Sequence, residues 1–307
     1  MFISLIFLVI GFVLLVRGAD TFVDGAVSIA RRFHIPSIVI GTTLVAIGTS
    51  APEAAISIAA ALRGSDGVSI GNIIGSNITN IFLILGVTAL IGGAVINKNT
   101  KNYELPFVAT ITMLLSLIGL WFGIISRTSA FMFLGLFIAF VIYTIIIAKR
   151  EKVQQPTYKP IPMIETIIMI IAGITALIIG SNLTVDSAIE IARYAHISER
   201  VIGLTVIALG TSLPELVVCV AAALKHEYDM AVGNIVGSNI FNILFVLGIS
   251  AAITPLPFDA AFITDGAIAL LAVTMLMMFT AHNSKLGRFG GLLFLIAYVF
   301  YTVHLII

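Results

Sequence analysis

The chain has 307 residues, 60% of them hydrophobic and 10% charged, with a formal net charge of +1. Soluble domains carry about 25% charged residues, so a soluble globular fold is excluded, while a charge this near zero argues neither for nor against a charged partner. The single cysteine, Cys219, excludes an intrachain disulfide and any multi-cysteine metal site.

A bilayer crossing takes about 20 mostly apolar residues. Ten such runs follow one another, predicting helices at 3–30, 36–62, 68–92, 104–124, 128–148, 162–193, 200–224, 228–253, 258–281 and 286–306. None alternates with period two, as a porin-like barrel would. The start lacks a basic n-region and a small-residue cleavage site, so no cleaved signal peptide is expected. The lipid bilayer is the partner implied; no nucleic acid, protein partner or bound cofactor is.

Within these spans, Arg17 and Asp20 lie a turn apart in the first and are expected to pair. Asp24 and Asp186 come a turn or two before their loops, either reaching water or lining an ion path. His34 and His196 are interfacial. The second span, "LVAIGTSAPEAAISIAAAL" (Leu44–Leu62), puts Gly48, Pro52 and Glu53 in its middle. The longest polar break, "AKREKVQQPTYKPIP" (Ala148–Pro162), divides the chain into a first part (1–148), a linker (149–161) and a second part (162–307). Of the 16 basic residues, eleven fall on the side of the first loop and four (Arg63, Arg127, Arg193 and Arg200) on the other. Lys and Arg accumulate in the cytoplasm. The first loop and the linker are therefore expected inside and both termini outside.

The seventh span repeats the second as "VIALGTSLPELVVCVAAAL" (Val206–Leu224). Shifted by 162 residues, Gly18–Gly86 matches Gly180–Gly248 without a gap, and 34 of 69 pairs are identical. Five spans per part is an odd number, so the second copy enters the membrane from the opposite face. The fold class expected is all-α integral membrane, ten transmembrane helices as two inverted five-helix repeats. Inverted repeats of this kind build secondary transporters, with sites near the midplane where the repeats meet.

The identities concentrate in G-T-S-x-P-E (Gly48–Glu53, Gly210–Glu215) and G-N-I-x-G-S-N-I-x-N-I (Gly71–Ile81, Gly233–Ile243), within regions 36–92 and 200–253. Pro52 lacks an N–H and its ring clashes with the carbonyl four residues back. The carbonyls around Ala46 to Thr49 are expected to be partly unpaired, and Pro214 with Gly210 is expected to free those near Ala208 in the same way. Broken backbone at membrane depth is tolerated where it lines a cavity. Side-chain oxygens surround each break: Thr49, Ser50 and Glu53, then Thr211, Ser212 and Glu215. Ser76 and Asn80 share one helix face, as do Ser238 and Asn242. Asn77 and Asn239 fall about 100° off it and are read as supporting or packing residues. Gly71, Gly75, Gly86 and their copies, and Cys219, opposite Ser57, are read as small packing residues.

An intramembrane carboxylate costs at least about 2.5 kcal/mol on insertion scales. Two occur here with no Lys or Arg in either motif, so a bound cation supplies the countercharge. Hard oxygens suit Ca²⁺, Mg²⁺ or alkali ions, and Ca²⁺ takes 6–8 of them. An intramembrane enzyme would need a nucleophile with a positioned base, and no His lies near Ser50 or Ser212. A channel is the other class, but pores are usually closed by rings of subunits.

The paired motifs resemble the two alpha-repeats of the cation/calcium exchanger superfamily, nearest its prokaryotic sodium/calcium exchanger branch. The resemblance implies that Glu53 and Glu215 hold the ions, together with Thr49, Ser50, Thr211, Ser212, Ser76, Asn80, Ser238, Asn242 and the carbonyls of Ala46 and Ala208. It implies exchange of Na⁺ for Ca²⁺ by alternating access, with the first and sixth spans sliding against the rest. Asn242 stands where potassium-dependent members have Asp, which points away from K⁺ use. Proton-coupled members lack G-T-S-x-P-E, and H⁺/Ca²⁺ exchange is the alternative.

Overall fold

The computed structural model describes residues 2–64, 66–150, 161–194 and 208–306. The chain is helical, in the order α1 (Phe2–Phe33), α2 (Ser37–Thr49), α3 (Ala51–Leu62), α4 (Gly67–Ile91), α5 (Thr100–Phe122), α6 (Arg127–Arg150), α7 (Met163–Tyr194), α8 (Ala208–Thr211), α9 (Leu213–Leu224), α10 (Tyr228–Ile253), α11 (Ala260–Thr280) and α12 (Arg288–Ile306). Among the described residues, eight helices are long and apolar enough to cross a membrane, and α2 with α3 makes a ninth candidate bent by 50°. The part of the predicted seventh span before Ala208 lies outside the described residues.

Two spans form the centre. The most apolar stretches of α4 and α10 are 78% and 83% buried, against 22–39% for the other six. This matches their sequences, because α4 and α10 carry the repeated G-N-I-x-G-S-N-I-x-N-I motif while the other six present leucine, isoleucine and phenylalanine to lipid. Both central helices widen into a π turn, Asn80–Leu85 in α4 and Asn242–Val246 in α10. Single π turns inside α-helices frequently mark functional sites.

Glycine sets how closely helices approach. α1 and α7 run antiparallel with their backbones nearly touching: a Cβ on Gly173 would lie 2.7 Å from the Phe22 Cβ, and one on Gly180 2.8 Å from the Leu15 nitrogen. α10 lies as tightly on α2, since a Cβ on Gly237 would meet the Thr42 carbonyl oxygen at 2.5 Å. Gly233 and Gly248 are also packing residues, as expected. Gly75 departs from that reading, because among the described residues nothing lies within 4 Å of the position its Cβ would take.

Short antiparallel bridges stitch the two parts. Ala94–Val95 pairs with Lys285–Leu286, and Ile124–Ile125 pairs with Leu256–Pro257. Each bridge joins a turn of the first part to a turn of the second. The expected Arg17–Asp20 pair is not formed. Lys225, just past α9, takes Asp20 and Asp24 instead, at 2.6 Å each. Asp24 thus meets a lysine from beyond α9 while 47% of its side chain stays exposed.

Candidate cation-binding site

Each helix break has the same form. Ser50 between α2 and α3 has φ −81° and ψ 9°; Ser212 between α8 and α9 has φ −90° and ψ 7°. Pro52 and Pro214 follow within the first two positions of the new helix, where a missing N–H costs nothing. Glu53 and Glu215 then fall in the first turns of α3 and α9. There the unpaired N–H groups and the positive end of the helix dipole favour a negative charge.

The carboxylates reach across the molecule. Ser50 Oγ donates to Glu215 Oε1 at 2.8 Å, and Ser212 Oγ donates to Glu53 Oε1 at 3.3 Å. Both glutamates are buried, at 1% and 0% exposure, and among the described residues neither meets a basic side chain.

The asparagines form a second reciprocal lattice between α4 and α10. Asn77 Nδ2 donates to the Asn239 carbonyl at 3.3 Å, and Asn239 Nδ2 to the Asn77 carbonyl at 3.4 Å. Their side-chain oxygens accept from the site asparagines: Asn80 Nδ2 donates to Asn239 Oδ1 at 2.9 Å, and Asn242 Nδ2 to Asn77 Oδ1 at 3.2 Å. With each amide nitrogen tied down, the oxygens of Asn80 and Asn242 are left facing the other way.

Buried polar atoms without partners are rare, and each calls for an explanation. Glu53 Oε2, Glu215 Oε2, Ser76 Oγ, Ser238 Oγ, Asn80 Oδ1 and Asn242 Oδ1 are all buried with no hydrogen-bond partner among the described residues. They form three pairs related by the 162-residue repeat, and all six are oxygens that can ligate a hard cation.

Of the other expected ligands, Thr49 and Thr211 are buried. Thr49 Oγ1 lies 3.0 Å from Asn234 Oδ1 and 3.3 Å from the Ala46 carbonyl. That carbonyl also accepts the Ser50 N–H at 3.0 Å. Of the carbonyls around Ala46 to Thr49 expected to be partly unpaired, that of Ala46 keeps its helical N–H donor and shares the Thr49 hydroxyl with Asn234 Oδ1, while Gly48 is the one that Pro52 deprives of a donor. Ala208 opens α8, and the residues before it lie outside the described set.

The sequence reading missed Asn72 and Asn234. Asn72 Nδ2 reaches Ser57 Oγ at 2.9 Å and the Glu53 carbonyl at 3.3 Å, and Asn234 Nδ2 reaches Cys219 Sγ at 3.3 Å. Cys219 is thus a polar partner in the place of Ser57, and not merely small. The available signal was the G-N pair identical in both repeats. These tethers support one prediction. Asn239→Ala removes the acceptor that orients Asn80 and should weaken apparent Ca²⁺ affinity in flux assays about tenfold, the scale of losses from a metal site's supporting shell. An unchanged half-saturating Ca²⁺ concentration would refute it.

Known proteins resemble the chain over nearly its whole length. The family model described as sodium/calcium exchanger protein matches residues 3–146 and 165–307. The chain belongs to the sodium/calcium exchanger family. The sodium/calcium exchanger MaX1 of Methanosarcina acetivorans is 30% identical, over 99% of this chain and 98% of its own. The inner membrane protein YrbG of Escherichia coli is 35% identical, over 93% and 91%. The sodium–calcium exchanger NCX_Mj, solved after soaking with Na⁺ and Sr²⁺, superposes with a TM-score of 0.87 at 34% identity, covering 98% of each chain. This sodium/calcium exchanger family member is therefore a multi-pass helical membrane antiporter of cations, in a family of transporters rather than of enzymes.

Proposed function

We propose that the chain exchanges Na⁺ for Ca²⁺ by alternating access, without K⁺ and with net movement of charge. The fold it uses is ten spans in two inverted repeats, with both termini outside. The ions are substrates held by Glu53, Glu215, Thr49, Ser50, Thr211, Ser212, Ser76, Asn80, Ser238 and Asn242. The observation that carries this reading is the set of six buried, partnerless oxygens in three repeat-related pairs. Two of them belong to carboxylates whose charges balance one Ca²⁺ or two Na⁺. The carbonyls of Ala46 and Ala208 complete the set, Ala46 through the lone pair that the Ser50 N–H leaves over.

Coupling follows from sharing. Na⁺ and Ca²⁺ drawing on the same two carboxylates cannot both be fully bound. An empty site leaves two buried charges uncompensated, which is expensive, so the loaded forms cross and the empty one does not. The test is uptake of labelled Ca²⁺ into proteoliposomes under an imposed Na⁺, H⁺ or K⁺ gradient. Uptake is expected with Na⁺ inside and no K⁺ on either side. Uptake driven by H⁺ alone would replace this reading with proton exchange.

A further inference from the structure

A cavity of about 400 Å³ runs beside α4. Among the described residues, its wall includes Ser76 and Thr211, both in the ligand set, and Gly75, whose missing side chain leaves the space open. It continues past Val68 at the start of α4 and Leu305 at the end of α12. Val68 and Ser76 are two helical turns apart, roughly 12 Å at the α-helical rise. The cavity therefore spans from the ligand residues toward the face where Ile124–Ile125 pairs with Leu256–Pro257.

One charged side chain lines it among the described residues: Asp265 of α11, beside Tyr298, Tyr301 and Thr302 of α12. Tyr298 is held by Thr79, with the two hydroxyl oxygens 3.4 Å apart. Asp265 is half-buried. Among the described residues it makes no hydrogen bond and no ion pair. Carboxylates inside a membrane protein normally pair, or face a water-filled path. This one sits in the wall of a cavity that leads to a cation site.

We infer that this cavity is the ion vestibule for one face of the membrane, and that Asp265 is the carboxylate that concentrates cations in it before they reach Ser76 and Thr211. Low-dielectric walls focus the field of such a charge and enrich the counter-ion. Enrichment depends exponentially on ion charge, so a potential that enriches Na⁺ by a given factor enriches Ca²⁺ by its square. The inference rests on the antiport reading above, and its test separates the two.

Asp265→Asn is assayed in right-side-out and in everted vesicles from the same cells. At the vestibule face, expected to be the outer one, the half-saturating concentration should rise about threefold for Na⁺ and about ninefold for Ca²⁺. Maximal flux and the constants at the opposite face should not move. Asp265→Glu should restore the parent constants. On Asp265→Cys protein, a negatively charged thiol reagent should lower the vestibule-face constants and a positively charged one raise them, within one folded preparation. Unchanged constants, equal shifts for the two ions, or equal shifts at the two faces would overturn the vestibule while leaving antiport intact. Parent vesicles without Na⁺-coupled Ca²⁺ flux would remove both.

Discussion

Glutamine at position 53 or at position 215 should abolish Ca²⁺ exchange, to below about one-hundredth of the parent rate, and leave the protein folded. Glutamine keeps the size of the side chain and one oxygen. It loses the charge, and an N–H₂ donor stands where a lone pair did. The second oxygens of Glu53 and Glu215 are the ones without partners, so the amide nitrogen would face either the ion or the serine that already donates from the other half. Charge interactions are strong in a site so withdrawn from water, and each 1.4 kcal/mol of lost ion binding is tenfold in affinity. Stability should move the other way. A buried charge is costly without its counterion, so in ion-free detergent either variant should melt at or above the parent temperature. Labelled-Ca²⁺ flux and a thermal melt on one preparation decide the matter. Parent-level exchange in either variant would show that its carboxylate does not hold the ion.

The second large effect is at Asn242. Its nitrogen donates to Asn77 Oδ1 at 3.2 Å and its oxygen is free. Asn242→Asp sets an oxygen against Asn77 Oδ1 and adds a third negative charge to a site whose two carboxylates would balance one Ca²⁺. The site then needs one more positive charge, as a monovalent cation or a proton. Without K⁺ at neutral pH the variant's flux should fall at least about tenfold, the order lost when a buried charge is left unpaired. Added K⁺ or acid should restore part of it. Parent flux should be unchanged when choline replaces K⁺ on both sides. If parent flux vanishes in choline, Asn242 is no sign of K⁺ independence.

Much of this molecule is legible in its sequence because membrane insertion is a harsh filter. Only runs of about 20 apolar residues cross, so the helices stand out, and Thr100–Phe122 begins only four residues before its expected start at 104. Polar residues retained twice at a spacing of 162 are costly, which singled out Glu53, Glu215 and the asparagines before any geometry. What local sequence does not contain is the rotation of one helix against another. Arg17 and Asp20 look paired along α1, yet Asp20 turns toward Lys225 from α9. Asn77 lies off the face of Ser76 and Asn80, and only the approach of α10 reveals that this offset aims it at Asn239. Which carbonyl of Ala46 to Thr49 loses its donor is a local matter: Ser50 keeps its N–H on Ala46 in the helical ladder, and the missing N–H of Pro52 falls on Gly48.

A duplicated gene segment ordinarily gives a protein a spare, so that damage to one copy is masked by the other. The serine–glutamate crossings remove that insurance. Ser50 completes Glu215, and Ser212 completes Glu53, so neither repeat contains a finished site of its own. A lesion in one copy should therefore disable the work of both, and a pair of matching lesions should be no worse than either alone. The two repeats are related as the halves of a single lock.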